Sequence, residues 1–299
     1  MQGRDWALVI FTLLVQMAIG IVVVFAPFTF IDEIRFPQTL SAYLYNTLFW
    51  GILILLILAV LSGMLHLRRM RNVKFVLANL KKSWLSRETL LGLSFGFVIL
   101  ALGLVRLTQI IIPNLITTLL WAGALIGLAL VFGMSNVYRL RTVPAWNTWA
   151  TPISFLLSTL LLGALSLSIA VSLLSQTYLR DGSELNEITD LLWYLGWGSA
   201  ILLCTQLLLA FLKDRYLLWR GGDANQSVVQ VKRNHPILGM LREAFGLLAI
   251  GLCILFALQP FSSSEFGFDV AIAAALLLAL TSETIGRFLF YASYKRSGL

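Results

Sequence analysis

Charge is scarce in this 299-residue sequence. Asp, Glu, Lys and Arg together make up 12%, where a soluble domain usually carries about 25%. With 59% hydrophobic residues and a mean hydropathy of +0.87, most of the surface must face something other than water. The little chain left between apolar runs excludes a folded soluble catalytic domain. Histidine is scarcer still. The two present, His66 and His235, stand near the ends of apolar runs, whereas a membrane b-haem usually takes two suitably placed axial ligands. No haem is therefore expected. Cysteine is limited to Cys204 and Cys253, each isolated in an apolar run; a cysteine-ligated iron–sulfur cluster in this chain is excluded, and both are expected as small buried side chains. An internal repeat is absent too, which speaks against an inverted-repeat transporter.

What the sequence has in abundance is long apolar stretches. Eight runs, at about 6–30, 41–65, 89–112, 115–137, 149–175, 190–212, 238–259 and 268–291, each reach the roughly 20 residues that a spanning helix needs. Helices are required because an open strand would leave backbone groups unpaired in hydrocarbon. The expected fold is therefore all-α, a polytopic membrane bundle of about eight transmembrane helices forming one integral membrane domain over 1–299. The first run is too long for a signal-peptide core and has no convincing small-residue cleavage site, so it is counted as a helix. Pro113-Asn114 predicts a hairpin between the third and fourth spans, Asp181-Gly182-Ser183 follows the fifth, and Gly221-Gly222-Asp223 lies in the longest loop. Pro27, Pro152 and Pro260 fall near span ends, where helices tolerate them.

The net charge of +8 does not point to nucleic acid, because the cations sit between apolar runs, as membrane orientation requires. One set of loops holds Arg68, Arg69, Arg71, Lys74, Lys81, Lys82, Arg87, Arg139, Arg141, Lys213, Arg215, Arg220, Lys232, Arg233, Lys295 and Arg296; the other holds Asp32, Glu33, Asp181, Glu184, Glu187 and Glu265, with only Arg35 and Arg180 to offset them. The positive-inside rule puts the basic set and both termini in the cytoplasm. A basic face is equally suited to docking an acidic partner.

Residues 66–88 read HLRRMRNVKFVLANLKKSWLSRE. Val73, Leu77, Leu80 and Trp84 recur at helical spacing among Arg and Lys, which predicts a basic amphipathic segment over 67–88 at the membrane surface. A lipid-headgroup anchor explains its cations as well as any other role. His66 ends the second span and Glu88 begins the third, so both reach one membrane face at the depth of a quinone head group. Quinol oxidation needs acceptors for two protons and a hydrogen bond to hold the hydroxyl, which an imidazole and a carboxylate supply. An interfacial hydrogen-bonding histidine and an acidic helix N-terminus account for the pair equally.

Glu283 and Arg287, four apart in the last run, share a helix face and form either a structural ion pair or one wall of a polar site. Arg106 is placed to snorkel to the opposite interface. Tyr138, Trp146 and Trp149 fit an interfacial aromatic belt, a wall for a quinone ring or a partner contact. Gly92 with Gly96, and Gly123 with Gly127, are spaced for close helix approach. The charges inside apolar runs leave a multi-pass transporter or channel as the alternative function.

Four stretches, IFTLLVQMAIG at 10–20, MLHL at 64–67 with SWLSRE at 83–88, YRLRTVPAWNTWATPISFLLSTLLLG at 138–163 and ETIGRFLFY at 283–291, resemble the membrane anchor subunits of the dimethyl sulfoxide reductases and related molybdopterin oxidoreductases, including sulfite-oxidising complexes. The resemblance implies an eight-helix subunit without haem in a prokaryotic cytoplasmic (inner) membrane. Its implied partners are a four-cluster iron–sulfur subunit and a molybdopterin catalytic subunit, besides membrane lipid. Quinone, as menaquinone or menaquinol, would be its exchangeable substrate, with electrons flowing toward a sulfoxide or, in reverse, from sulfite. The family's menaquinol-binding histidine and glutamate match His66 and Glu88; Arg71 and Arg87 complete the candidate quinone-binding set, and Tyr138, Trp146, Glu283 and Arg287 are secondary quinone or partner contacts. The family usually continues HL with glycine, then proline, then an arginine six positions after the histidine. Here Arg68, Met70 and Asn72 stand there, and Arg71 is the nearest substitute.

Overall fold

A computed structural model describes residues 3–29, 38–66, 77, 79–108, 114–178, 182–258 and 265–296. Among the described residues there are nine α-helices and no strand. They are α1 (Gly3–Phe25), extended by a 3-10 turn at Ala26–Thr29, α2 (Gln38–His66), α3 (Trp84–Thr108), α4 (Leu115–Tyr138), α5 (Ala150–Tyr178), α6 (Gly182–Arg220), α7 (Gly222–Asn234), α8 (Pro236–Leu258) and α9 (Glu265–Ala292). All but α7 are long and apolar enough to cross a membrane, which makes the eight spans expected from the apolar runs. Asn114, at φ 62°, turns the chain into α4 in the left-handed region that Asn tolerates.

The centre of the bundle is α1 and α5. Buried residues make up 61% and 67% of their spanning windows, against 22% to 39% for the other six. α1 packs on α2, α4, α5 and α9, while α5 packs on α1, α2, α4, α6 and α9. Their backbones touch: a Cβ on Gly20 would fall 2.0 Å from the Thr159 carbonyl oxygen, and one on Gly163 would fall 2.1 Å from the Gly20 carbonyl carbon. Lipid tails are as apolar as leucine, so helices in a bilayer are held by close packing and hydrogen bonds more than by escape from water. Ser62 Oγ adds such a bond, donating to Ala7 O at 2.7 Å and tying α2 to α1. Gly127 also faces α1, with Ile19 Cγ2 2.6 Å from its would-be Cβ, whereas Gly96 has open space around it. Phe97, Leu107 and Leu277 are among the large apolar side chains exposed on the outside, where lipid is their solvent. Arg106 lies near the end of α3 with its guanidinium 5.5 Å over the Tyr45 ring of α2.

Two expectations need correction. Cys253 is buried, but Cys204 faces outward; an apolar run reports membrane depth and not which side of a helix looks at lipid. The segment taken as the longest loop is mostly helical. α6 runs on to Arg220, 39 residues in all, about 58 Å of helix against a hydrocarbon core of about 30 Å. Gly221 (φ 70°) and Gly222 (φ 58°) then reverse the chain, and α7 folds back so that Ala224 and Val228 join Leu217, Val143, Trp146 and Tyr291 in a second apolar cluster. Of the predicted surface segment, 67–76 and Ala78 lie outside the described residues. Residues 79–83 form a turn, with the Lys82 and Ser83 amides donating to Asn79 O at 3.2 and 2.9 Å, and 84–88 are already the first turns of α3.

The Gly20–Gly163 crossing predicts a sharp asymmetry. Gly163→Ala is expected to cost about 3 kcal/mol or more through overpacking against backbone, seen as a lower unfolding temperature in mild detergent or as lost accumulation. Gly51→Ala, with nothing within 4 Å of the new methyl, should leave both unchanged, and equal effects from the two would remove the crossing as the determinant of stability.

Candidate functional site

The C-terminus of α2 and the N-terminus of α3 open on one membrane face, with His66 the last residue of α2 and Glu88 in the second turn of α3. The side chain of His66 and the whole of Arg71 lie outside the described residues. Ser83 caps α3, its Oγ accepting from the Ser86 amide at 3.3 Å. Arg87 is spent on the preceding turn: Nε donates to Leu80 O at 2.9 Å, an NH2 group donates to Lys81 O at 2.7 Å, and the guanidinium lies 4.4 Å over the Trp84 ring. Trp84 in turn meets Phe132 of α4 edge-on at 5.8 Å. Arg87 therefore shapes the rim of the site instead of presenting a free cation.

Glu88 is partly buried. Its Cα stands 3.8 Å from where a Cβ on Gly133 of α4 would be, so α4 leaves room for the glutamate backbone. Among the described residues its carboxyl makes no hydrogen bond or ion pair. It lies within electrostatic reach of Tyr138 and Tyr291.

Those tyrosines belong to an aromatic wall that joins the 138–163 stretch to the end of α9. Tyr138 contacts Trp146, Phe155 and Phe290 at 5.8 Å and Tyr291 at 5.4 Å between ring centroids. Trp146 stacks on Phe290 at 5.2 Å and donates from Nε1 to the Phe290 carbonyl at 2.7 Å. The α4–α5 connection is shaped for this contact: the Val143 amide donates to Leu140 O and the Trp146 amide to Val143 O, each at 3.0 Å, and Thr151 Oγ1 donates to Trp146 O at 2.7 Å. Trp149 stays outside the wall, exposed at the surface.

Deeper on the same side, Glu283 and Arg287 are both buried to 4% exposure. They meet through Ser158 of α5 instead of head on. Ser158 Oγ donates to Glu283 Oε2 at 2.5 Å, Gln206 Nε2 of α6 donates to the same oxygen at 3.1 Å, and Arg287 donates to Ser158 Oγ at 3.3 Å and to Gln16 Oε1 of α1 at 2.9 Å. Gln16 Nε2 donates onward to Phe155 O at 2.6 Å, and the Arg287 guanidinium lies 3.5 Å over the Phe155 ring. Four helices are thus locked by one polar cluster in which the two charges are shared among neutral partners. Arg287 is also within electrostatic reach of Tyr138 and Tyr291, so the wall stands between this cluster and Glu88. Beside the cluster lies a cavity of about 400 Å³ bounded by α5, α6, α7, α8 and α9. Among the described residues no three His, Cys, Asp or Glu side chains converge as a metal site would require.

The family model described as DMSO reductase anchor subunit (DmsC) matches residues 1–293. The protein belongs to the DMSO reductase anchor subunit family. It is similar to the C subunit of the anaerobic dimethyl sulfoxide reductase of Haemophilus influenzae, at 28% identity over 98% of its own length and 95% of that relative. It is also similar to the subunit of the same name from Escherichia coli K12, at 26% identity over 99% and 97%. In this anchor subunit the structure brings Tyr138 and Trp146 to one wall with Glu283 and Arg287 behind it, sets Glu88 at its edge and commits Arg87 to a turn. Sequence reasoning missed Gln16, Ser158 and Gln206. The two glutamines carried a usable signal, since a lone amide inside an apolar run needs a partner; a serine, which can satisfy itself on its own helix, carried none.

The polar cluster predicts coupling. Arg287→Met strands a buried carboxylate and is expected to destabilise by about 3–5 kcal/mol, while Glu283→Gln/Arg287→Met together regain most of the loss. Thermal unfolding in detergent measures the cycle; simple addition of the two single effects would mean that the charges do not act as a unit.

Proposed function

We propose that this subunit anchors an iron–sulfur subunit and a molybdopterin catalytic subunit to a prokaryotic inner membrane and supplies them with electrons from menaquinol at the His66–Glu88 end of the bundle. The observation that carries the proposal is Glu88. It is a partly buried carboxyl without a partner among the described residues, about one turn inside a spanning helix, on the face where α2 closes with His66. A carboxylate held this way has one evident chemical use, accepting a hydrogen bond and then a proton from an amphiphile that arrives through the membrane.

Quinol loses two protons and two electrons when it becomes quinone. Glu88 accepts one hydroxyl proton and the His66 imidazole the other, and both return them to the nearby aqueous face. The electrons leave for the iron–sulfur subunit, taken as the four-cluster type and docked over the basic rim where Lys81, Lys82, Arg139, Arg141 and Arg215 are exposed. Arg87 keeps the 79–83 turn in place, Arg71 belongs to the same rim, and the Tyr138–Trp146 wall supplies an apolar inner surface for the ring. Quinone exchanges freely and is a substrate; no haem takes part. By the positive-inside rule the rim and both termini are cytoplasmic. The names of the two relatives favour flow from quinol to a sulfoxide over the sulfite-oxidising direction.

The test uses the subunit purified with its native partners. Glu88→Gln and His66→Ala are each expected to lower quinol-driven turnover by about 100-fold or more, while a dye that reduces the catalytic subunit directly still drives full turnover. Unchanged quinol turnover would remove the site. If no redox partner co-purifies and the protein alone carries a solute across liposomes, the anchor function fails and a transporter takes its place.

A further inference from the structure

The cavity beside the Glu283–Arg287 cluster has no role in that chemistry, yet its walls are built to an unusual charge pattern. Eight ionisable side chains line it: Lys213 and Asp214 on α6, Lys232 on α7, His235 just before α8, Arg242 and Glu243 on α8, and Glu283 and Arg287 on α9. Most are balanced. Lys232 pairs with Asp214 at 3.0 Å, Glu283 and Arg287 share Ser158, and Glu243 is exposed. What remains is Lys213 and Arg242, two partly buried cations with no ion pair among the described residues. Lys213 Nζ lies over the Phe290 ring, 5.0 Å away, and it shares the charge of Asp214 with Lys232. The Arg242 guanidinium lies on Gly286 of α9, where a Cβ would come within 2.8 Å of Nε, and that Nε is buried without an acceptor.

A second unsatisfied atom lines the same cavity. Gln206 is 3% exposed; its amide nitrogen serves Ser154, Ser158 and Glu283, but its Oε1 is buried with no donor. Leaving such groups unpaired costs roughly 1–3 kcal/mol each. The missing partner of the two cations must be anionic, while the Gln206 oxygen needs only a donor, which a water carried in with that anion supplies. Two more lining residues give its route. Phe211 on α6 and Met240 on α8 are 61% and 70% exposed, so the cavity opens to the outside of the bundle between these two spanning helices.

We propose that this cavity binds the head group of an anionic phospholipid, the phosphodiester held between Lys213 and Arg242, with the acyl chains leaving past Phe211 and Met240 between α6 and α8. Arg242 is six residues inside α8, about 9 Å from its start, a depth that a phosphate at the membrane interface reaches. A neutral quinol would leave both cations uncompensated, which low-dielectric surroundings penalise. The site is independent of the quinone reading at Glu88.

The test is lipid retention by the intact complex, delipidated in mild detergent and titrated with phosphatidylglycerol, phosphatidylcholine of the same acyl composition, menaquinone or inorganic phosphate, followed by native mass spectrometry. One phosphatidylglycerol per complex is expected to persist where phosphatidylcholine does not. Lys213→Gln/Arg242→Gln should weaken it about thirtyfold, Lys213→Arg should retain it, and Arg220→Gln/Arg233→Gln, which removes the same charge from the exposed rim at the end of α6 and α7, should have no effect. If the double variant does not assemble, Lys213→Gln alone decides, with an expected loss of about fivefold. Equal retention in the cation variants, an equal loss from the rim variant, displacement by inorganic phosphate alone, or competition by menaquinone would each overturn the proposal.

Discussion

The contact between the backbones of α1 and α5 governs the rest of this bundle. In water, two apolar helices associate because their surfaces leave a poor solvent; in lipid that gain is largely absent, and geometry has to supply the specificity. Gly20 and Gly163 remove the side chains that would hold the helices apart. Gln16, one turn before Gly20, is thereby brought against Phe155 and Thr159, one to two turns before Gly163, and its amide bonds to both. With its nitrogen used on α5, Gln16 has its oxygen left for Arg287 of α9. A glycine contact thus fixes the rotation of a glutamine, and the glutamine positions a buried arginine 271 residues further on in the sequence.

From Arg287 the constraint passes outward in both directions. Through Ser158 and Glu283 it reaches Gln206, which sets the rotation of α6 relative to α5 and α9. Through the Phe155 ring it reaches Tyr138, Phe290 and Trp146, and so the α4–α5 connection. The indole N–H of Trp146 bonds to a backbone carbonyl, which couples the connection to α9 itself more than to any one side chain there. Glu88 sits where this wall ends, on a helix whose own start is held by Ser83, Trp84 and Arg87.

Much of this was legible in the sequence, for identifiable reasons. The spans stood out because apolar length is a direct image of bilayer thickness. That Glu283 and Arg287 share a helix face followed from helical periodicity, although they meet through Ser158 and not as an ion pair. α7 was missed because GDANQSVVQVKRN has too few apolar residues to announce a helix; its fold comes from Ala224 and Val228 meeting a surface built by α6 and Trp146. Cys204 was misjudged and Gln16, Ser158 and Gln206 overlooked for one reason: which helices lie at the same depth and face each other is a tertiary fact, and within a bilayer interior and exterior faces have the same hydrophobicity.

The aromatic wall divides one membrane face into two regions of unlike chemistry. On the α2–α3–α4 side the nearby arginine is engaged with backbone carbonyls, and the group left over is a carboxyl. On the α5–α9 side Asp214 and Glu283 are engaged and Glu243 is exposed, and the groups left over are an amine and a guanidinium. A neutral molecule that must shed protons gains from the first and nothing from the second; an anion is repelled by the first and held by the second. Because Tyr138 and Tyr291 lie within electrostatic reach of both Glu88 and Arg287, the charge of one region is felt in the other across the wall.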